Sequence, residues 1–509
     1  MTELHLLKKH IQEYWGLWLL AIVVLFLFPM RVGVKSDTAM YGAVAKNILL
    51  LREWWPLHLH PNYQPEFYFQ PPGVIWCMAL VVSWVGDFPW AYQLFSRLCA
   101  VGTYILASLT ILRSTRVSKT ENPNALTVFL VLLPTWGTWV KYSSEGQMEG
   151  PLGFAIAGTV CAATYLFFPD PLKPRKGTRV LTAALFSFSF LGFLFKGLFF
   201  VPVGCAVFSW AMFQQARPKK WSSLGAGCFS LLGIAAAFGV VAAIDRASGT
   251  GWLQFYFGTQ ISEHVIAGNQ TLFGFEKIGQ HLGNVLRWYE VEFRYSPVWL
   301  AAFLPLGFWE VIKRRCRFDQ PPGFQLWIYV FYMVPLWVAK LKMPHWSTPI
   351  YPICACFLTL TVGRRLAGRM GDLLTPKRVN AAAVSLLFIL AVVPYPREIR
   401  YYRGQDWIER ANLIKAQCSS DNPFQFIVET EGEDPWPHYV YSAFVLGWNF
   451  PARFSSAMRI LEKPCRGGLL GVDTKQVPGL GTRLQDTGWV ESPQQRGHFT
   501  LFSCKKPNG

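Results

Sequence analysis

The amino-acid sequence predicts an all-α polytopic membrane protein with about 11–13 transmembrane helices and a small C-terminal extracytoplasmic α/β domain. Hydrophobic residues make up 52% of the 509 residues and charged residues only 15%, and the mean hydropathy is +0.25. Soluble proteins carry about a quarter charged residues. The apolar runs are continuous and of helix length, which excludes a disordered or collagen-like chain and an outer-membrane barrel.

Eleven apolar runs are predicted to cross the membrane. They are 14–30, 92–112, 125–140, 150–168, 180–195, 198–213, 222–244, 296–312, 323–339, 346–363 and 379–395. The first run follows Lys8 and Lys9 and has no small-residue cleavage pattern after it, so it predicts an uncleaved span with a cytoplasmic N-terminus. A further run, 72–86, is shorter than the about 20 residues of a relaxed span and predicts a juxtamembrane or partly inserted helix.

The distribution of basic residues orients these spans. The chain has 48 Lys and Arg against 30 Asp and Glu, a formal charge of +18. Six short connections on one side carry 21 of the 48: 1–13, 113–124, 169–179, 214–221, 313–322 and 364–379. Cytoplasmic loops of membrane proteins show this excess. The positive charge therefore predicts topology, and no nucleic-acid partner is expected.

This topology divides the chain into two predicted domains. Residues 1–395 form a transmembrane domain with outer loops 31–71 and 245–295, and residues 396–509 form an extracytoplasmic soluble domain. Strand-like segments at 424–428 and 499–502 and a helical pattern at 406–417 predict a compact α/β unit there. The tail holds Cys418, Cys465 and Cys504, which allows one disulfide of unassigned pairing and leaves one thiol over.

Ionisable residues collect near the predicted outer face. They are Asp37, Lys46, Lys141, Glu145, Glu149, Lys196, Glu263, His264, Lys340, Lys342 and His345. Ionisable groups at membrane depth are costly and indicate functional sites. Secondary transporters place such groups near the bilayer midplane between internal repeats, and no repeat is evident here. The pattern favours a site at the outer membrane surface.

Asp37 supports two interpretations, which are compatible. Ser36 or Asp37 can cap a helix running over 38–51, because both side chains satisfy N–H groups at a helix start. Asp37 can also act as a general base that takes a proton from a hydroxyl acceptor.

The segment 61–76 mixes prolines with aromatic rings, which is typical of an interfacial belt. Its Pro71-Pro72 step fixes how the chain enters the membrane and predicts a cavity floor.

Lys196 interrupts an apolar hairpin next to Gly197. A lone lysine there can extend to the interface, or it can bind a phosphate as a point charge. Lys340 and Lys342 add positive charge beside prolines and aromatics at the same face. Extension to the interface explains one of the two residues Lys340 and Lys342. Both of them together with Lys196 favour an anionic ligand.

His264 follows Glu263 and can be structural, an acid/base or a metal ligand. The sequence has no HExxH and no close CxxC, so it carries no strong metal signature. It also lacks a Walker motif and a Gly-rich dinucleotide turn. Use of a nucleotide or nucleotide-sugar is therefore unsupported.

In chain order, these motifs resemble those of the polyprenyl-phosphate-dependent C-class glycosyltransferases. Within that class they resemble the protein O-mannosyltransferase superfamily, on the branch of the lipid A aminoarabinose transferase. The motifs are Asp37 with Tyr41, Pro56-Leu57, Phe69-Gln70-Pro71-Pro72, Glu149, Lys196-Gly197, Glu263-His264 and Lys342-Met343-Pro344-His345-Trp346 with Pro349. The resemblance extends over roughly residues 10–360, and its specificity lies in the order and sidedness of the motifs.

The resemblance implies roles for individual residues. Asp37 and Glu149 would be catalytic, and Lys196, Lys342 and Lys340 would bind the donor phosphate. Substrate contacts are implied for a larger set, namely Tyr41, Gln70, Glu145, His264, His345 and Trp346. Gln70 stands where relatives have a charged pair before Pro-Pro, and no Arg follows His264 within 265–268. A divalent metal at His264 is therefore the weakest of these expectations, and no other cofactor is expected.

These observations predict an integral membrane glycosyltransferase of the inner (plasma) membrane with its active site outside the cytoplasm. It would move a hexosyl or pentosyl group from a polyprenyl-phosphate donor to an outward-facing lipid, glycan or protein. The alternative is a polyprenyl-lipid-linked transporter or flippase that makes no bond, and a weaker third hypothesis is an envelope assembly or scaffold protein. The long 31–71 loop and the outer charges favour the enzyme. Sugar, acceptor and oligomeric state are not encoded in these motifs.

Overall fold

The structure is a computed structural model of the chain. It describes residues 3–32, 36–60, 64–67, 70–118, 124–169, 177–215, 221–258, 305, 309, 313, 319–338, 344–363, 373–392, 424–427, 444, 453–455, 469–473, 484–486, 489–496 and 499–504.

The described part of residues 1–395 is almost entirely helical. Its α-helices are α1 (Glu3–Glu13), α2 (Trp15–Val32), α3 (Ser36–Leu51), α4 (Gly73–Val85), α5 (Ala91–Val117), α6 (Ala125–Leu132), α7 (Gly137–Ser144), α8 (Glu149–Phe167), α9 (Thr178–Lys196), α10 (Val201–Gln215), α11 (Trp221–Ser248), α12 (Trp252–Phe255), α13 (Pro321–Val338), α14 (Tyr351–Leu358) and α15 (Pro376–Val392). Short 3₁₀ segments cover Leu133–Thr135, Gly197–Phe199 and Pro344–Ile350, and a π-turn covers Thr359–Gly363.

Five helical segments of the described residues are long and apolar enough to cross a membrane: Ala91–Val117, Glu149–Phe167, Thr178–Phe199, Leu224–Ser248 and His345–Gly363. Ten of the eleven predicted runs coincide with described helices, whereas almost all of the run 296–312 lies outside the described residues. The predicted juxtamembrane segment forms α4, which at 13 residues is too short for a relaxed span. The predicted all-α polytopic membrane architecture is thus confirmed.

The predicted run 125–140 differs from a single straight helix. It consists of α6, a 3₁₀ turn over Leu133–Thr135 and α7. Pro134 lies inside that turn and has no N–H to continue the α-helical hydrogen bonds. The break redirects the chain before the turn that leads to Glu149.

Most of these helices belong to one compact unit, which consists of residues 1–31, 68–74 and 93–395. At one end of α8, Arg113 donates to the carbonyl of Phe168 from Nε at 3.1 Å and from Nη2 at 2.8 Å. Glu3 pairs with Arg113 at 3.1 Å and with Arg116 at 3.4 Å. Three of the connections predicted to be cytoplasmic therefore begin beside one another.

The N-terminal helix is anchored within the same unit by a buried histidine. His10 Nδ1 accepts from the indole N–H of Trp18 at 3.2 Å, and His10 Nε2 lies 3.0 Å from Thr127 Oγ1. Tyr14 stacks on His10 with ring centroids 4.4 Å apart, and its hydroxyl donates to the carbonyl of Leu374 at 3.0 Å. These contacts join α1 to residues far along the chain.

A second compact unit consists of residues 32–67, 75–92 and 396–509. Asn47 Nδ2 donates to the carbonyls of His58 and Leu59, each at 3.0 Å. It thereby holds a short antiparallel hairpin, β1 (His58–His60) and β2 (Gln64–Glu66), against α3. Lys46 pairs with Asp87 at 2.8 Å. The segment 31–71, which is predicted to be an outer loop, thus contains a helix and a hairpin.

The tail contributes a five-stranded sheet to this second unit. Its strands are β3 (Phe424–Ile427), β4 (Arg453–Ser455), β5 (Leu469–Asp473), β6 (Trp489–Arg496) and β7 (Phe499–Cys504), in the order β4-β3-β5-β7-β6. β3 pairs in parallel with β4 and β5, while β7 pairs antiparallel with β5 and β6. Both predicted strands lie in this sheet. The predicted helix 406–417, Cys418 and Cys465 lie outside the described residues.

Candidate functional site

The candidate site is built around Glu149 and Lys196, which the helices α8 and α9 bring together. Each helix has 19 residues and the two pack side by side. Glu149 lies in the first turn of α8 and Lys196 in the last turn of α9, and the two form a salt bridge. A carboxylate at a helix N-terminus and an ammonium group at a C-terminus are each favoured by the helix dipole. The antiparallel hairpin therefore stabilises both charges at one end.

This ion pair is buried, with side-chain exposures of 5% for Lys196 and 3% for Glu149. Burial of two charges is costly unless they are paired and hydrogen-bonded. Lys196 was predicted to bind a phosphate and Glu149 to be catalytic, whereas their contact with each other was not predicted. The two residues are 47 positions apart in the sequence, and packing of the α8–α9 hairpin brings them together.

His345 approaches the same carboxylate from another part of the chain. It follows Pro344 in the 3₁₀ segment, and its Nε2 lies 3.9 Å from Oε1 of Glu149. The ring of Tyr142, on α7, lies 5.3 Å from the imidazole. Three sequence segments thus meet at Glu149, so a cation, an anion and a titratable imidazole share one location.

Aromatic rings border Lys196. Its Nζ lies 5.2 Å from the ring centroid of Phe199, and this ring makes an edge contact with Trp346 at 5.1 Å. The hydroxyl of Tyr332 donates to the carbonyl of Trp346 at 2.8 Å and fixes that segment. An ammonium group here can bind an anion, and the neighbouring aromatic rings can pack against a sugar ring.

The Pro-Pro step lies against the tip of the hairpin, and the cavity floor predicted there stays a prediction. A Cβ at Gly73 would lie 2.7 Å from the carbonyl oxygen of Leu194. A Cβ at Gly197, whose φ is +55°, would lie 3.0 Å from Pro71 Cγ and would also meet the Tyr256 hydroxyl. Glycine is therefore required at both positions for this approach. Gln70, directly before the step, is half-buried.

Sequence reasoning missed Ser96 and Arg97, which hold the turn before Glu149. Arg97 is 1% exposed, and its Nε donates to the carbonyl of Ser144 at 3.3 Å. Its guanidinium also binds the side-chain oxygen of Gln93 one turn earlier. Arg97 is a charged residue inside the predicted span 92–112, a signal that indicates a buried polar role. Glu145, in the same turn, is 1% exposed.

Asp37 and Tyr41 belong to the second unit. Helix α3 begins at Ser36 with Asp37 in its first turn, where a carboxylate is favoured, so its helix-start role agrees with the sequence. Tyr41 is 8% exposed and makes an edge contact with Phe67 at 6.1 Å. The proposed base role of Asp37 stays a prediction.

Several predicted site residues lie outside the described residues, namely Glu263, His264, Lys340 and Lys342. Among the residues that the structure does describe, no group of three His, Cys, Asp or Glu side chains is arranged to hold a metal ion. The metal-binding prediction for His264 therefore stays untested.

Comparison with solved structures identifies the fold. ArnT from Cupriavidus metallidurans bound to undecaprenyl phosphate superposes with a TM-score of 0.66 at 12% identity, covering 95% of this chain and 96% of that one. The same ArnT in its apo state gives a TM-score of 0.62 at 14% identity, with the same coverage. The apo oligosaccharyltransferase of Archaeoglobus fulgidus gives 0.50 at 10% identity, covering 95% of this chain and 69% of that one.

No protein-family model matches the chain, and no curated protein sequence matches it. The structural likeness extends over nearly the whole length of both ArnT and this chain. A likeness of this extent at such low identity concerns the fold. This chain therefore has the same fold as ArnT, in agreement with the fold that its motif order predicts.

Proposed function

We propose that this chain is an integral membrane glycosyltransferase that transfers a sugar from a polyprenyl phosphate to an acceptor outside the cytoplasm. The observation that carries the proposal is the buried pair of Lys196 and Glu149 with the half-buried His345 beside it, at one end of the α8–α9 hairpin. A solved structure of the same fold, ArnT, holds undecaprenyl phosphate. A buried lysine beside aromatic rings suits the phosphate of such a lipid.

The proposed orientation follows from the two ends of α8. Its 19 residues span about 28 Å, close to the thickness of a bilayer core. Glu149 begins the helix, whereas the carbonyl of Phe168 after its last turn binds Arg113 in the basic network with Glu3. Basic residues favour the cytoplasmic side. The N-terminus would be cytoplasmic and the Glu149 cluster on the outer side of the inner membrane.

The proposed reaction needs no nucleotide, because a sugar on a lipid phosphate is already activated. The bond between the anomeric carbon and the phosphate oxygen breaks, and the electron pair leaves with the phosphate. Lys196 would stabilise this developing negative charge in a site that excludes water. The acceptor oxygen forms the new bond, and a hydroxyl acceptor passes its proton to a carboxylate. Asp37 is the proposed base, with inversion at the sugar carbon.

The test uses purified protein in lipid nanodiscs with a panel of radiolabelled polyprenyl-phosphate sugars and envelope extract. We expect the wild type to form a labelled product and Lys196→Ala to lose at least 100-fold in rate, since single electrostatic groups contribute about that much. The matched control is Lys377→Ala, which removes an exposed lysine from α15. Product formation by Lys377→Ala should equal that of the wild type.

The same experiment separates the enzyme from a transporter. Donor binding with no product across the panel, together with movement of the donor between the leaflets of sealed liposomes that hold the protein, would replace the transferase by a flippase. A product formed equally by Lys196→Ala and the wild type would leave a transferase but remove Lys196 from the site. Loss of product in both lysine variants would indicate a general effect of charge, and the assignment to Lys196 would be wrong.

A further inference from the structure

Lys196 already has an anionic partner in the structure. Its ammonium group binds the carboxylate of Glu149 in a place where the two side chains are 5% and 3% exposed. Buried charges are only weakly screened by water, so each responds strongly to any further charge nearby. A donor phosphate that binds Lys196 therefore meets a carboxylate on the same ammonium group.

Two anions next to one buried cation repel each other. The phosphate of a polyprenyl-phosphate sugar is a diester and remains ionised, so this repulsion favours a change of partner for the carboxylate. His345 provides an alternative partner, because its Nε2 is 3.9 Å from Oε1 of Glu149. Imidazole can donate a hydrogen bond to a carboxylate, and imidazolium can form an ion pair with it.

We propose that Glu149 occupies the phosphate position on Lys196 until the donor arrives, and that the phosphate then displaces this carboxylate from Lys196 to His345. This exchange rests on the function proposed above, because its ligand is a polyprenyl phosphate. While Glu149 is paired, Lys196 is neutralised and attracts other anions weakly. The carboxylate becomes available to the reaction only when the donor is bound.

The first test is made on the wild-type protein. A membrane-permeant carbodiimide activates a carboxylate, and an adjacent amine then displaces the urea to form an amide, with net loss of water. We expect a Glu149–Lys196 cross-link by peptide mass spectrometry, reduced at least fivefold by saturating undecaprenyl phosphate. Lys9 and Glu13, 3.7 Å apart on α1, provide the matched control. Their cross-link should be unchanged by the lipid.

The second test measures the affinity of undecaprenyl phosphate in nanodiscs. Glu149→Gln removes the competing charge, and we expect it to bind the lipid at least tenfold more tightly than the wild type. Glu3→Gln removes an acidic partner from Arg113 at the other end of α8 and should bind as the wild type does. If Glu149→Gln does not fold, the cross-linking result on the wild type decides.

The outcomes distinguish this exchange from the proposed function. A Glu149–Lys196 cross-link that is absent without lipid, or that persists when bound lipid is detected, overturns the exchange and leaves the transferase standing. Equal or weaker binding by a folded Glu149→Gln does the same. If undecaprenyl phosphate does not bind the wild type or Glu149→Gln at all, the proposed donor is wrong and the exchange is wrong with it.

Discussion

Ser96 donates its hydroxyl hydrogen to the carbonyl oxygen of Ser143 at 2.7 Å and shares it with the carbonyl of Gln147 at 3.1 Å. The neighbouring Arg97 binds the carbonyl of Ser144. Consecutive side chains of α5 therefore satisfy two carbonyls at the C-terminal end of α7 and one in the turn that leads into Glu149. Buried carbonyls need such partners, and neither the last carbonyls of a helix nor those of a turn have a helical N–H group to accept from. This arrangement fixes where Glu149 begins α8.

We expect Ser96→Ala to reduce the free energy of unfolding by about 1–3 kcal/mol, the cost of leaving buried polar groups without a partner. Ser83→Ala is the matched control, because the exposed Ser83 hydroxyl donates only within its own helix, to Leu80. Denaturation midpoints in mixed micelles measure both variants. Equal midpoints for Ser96→Ala and Ser83→Ala would mean that the hydroxyl of Ser96 does not hold the turn.

Gly150 makes this close approach sterically possible. A Cβ there would lie 2.7 Å from the carbonyl oxygen of Ser143 and 2.8 Å from that of Ser96. Because both atoms belong to the backbone, they cannot move aside as a flexible side chain would. We expect Gly150→Ala to destabilise by about 1–3 kcal/mol through overpacking and to weaken sugar transfer, since it displaces Glu149.

Gly239→Ala is the matched substitution for Gly150→Ala. Gly239 lies in α11, and a Cβ there would have nothing within 4 Å. Alanine stabilises a helix interior by about 0.5–1 kcal/mol relative to glycine, so the stability of this variant should be unchanged or slightly higher. Thermal unfolding and transfer rates of the two variants provide the comparison. A loss as large in Gly239→Ala as in Gly150→Ala would contradict the steric explanation.

His10 predicts a pH dependence of stability. Burial lowers the pKa of its imidazole from 6.5 to about 4. Nδ1 accepts from Trp18, so protonation would place a hydrogen against the indole N–H. Because the folded-state pKa is below the unfolded value, the neutral form is favoured by folding. Stability should fall as the pH drops from about 6.5 to about 4, by on the order of 3 kcal/mol from this group.

The measurement compares the wild type with His10→Gln at several pH values, since other groups also titrate in this window. The difference between their unfolding midpoints isolates the contribution of His10. We expect the unfolding midpoint of the wild type to approach that of His10→Gln as the pH falls below about 6. A difference that stays constant from pH 7 to pH 4.5 would show that His10 does not titrate as its burial requires.

The sequence predicted most of the helices because a long apolar run in a membrane must satisfy its own backbone hydrogen bonds, which an α-helix does. It did not predict the break within 125–140, although Pro134 is visible there, because composition alone did not separate α6 from α7. The Glu149–Lys196 pair was not predicted either, since it depends on how α8 and α9 pack. Arg97 was detectable as a charge within a span, but its carbonyl partners are set by tertiary contacts.

The proposed orientation predicts different locations for the ends of α10 and α11. The basic stretch 214–221 should be cytoplasmic, and the segment after Ser248 should be outside. Alkaline phosphatase fused after Gln215 should therefore be inactive, and fused after Ser248 it should be active. A cytoplasmic reporter such as green fluorescent protein should give the reverse result. Active phosphatase at Gln215 would invert the proposed topology, with the Glu149 cluster on the cytoplasmic side.

Substitution of Asp37 discriminates between two kinds of acceptor. A hydroxyl acceptor must lose its proton in the reaction, so Asp37→Asn should reduce the rate by about 100-fold or more if Asp37 is the base. A phosphate acceptor is already ionised, so the same variant should retain most of its activity. Asp486→Asn, which changes an exposed residue of the tail, is the matched control.

A pH profile separates a base from a merely structural Asp37. Asp37 also lies in the first turn of α3, so Asp37→Asn removes a favourable helix-start charge of about 0.3–1 kcal/mol. A structural loss lowers the unfolding midpoint and leaves the shape of the pH–rate profile unchanged. Loss of a base removes the acidic limb of that profile, because its protonation no longer limits the rate. An Asp37→Asn variant that keeps both its acidic limb and its rate with a hydroxyl acceptor would exclude Asp37 as the base.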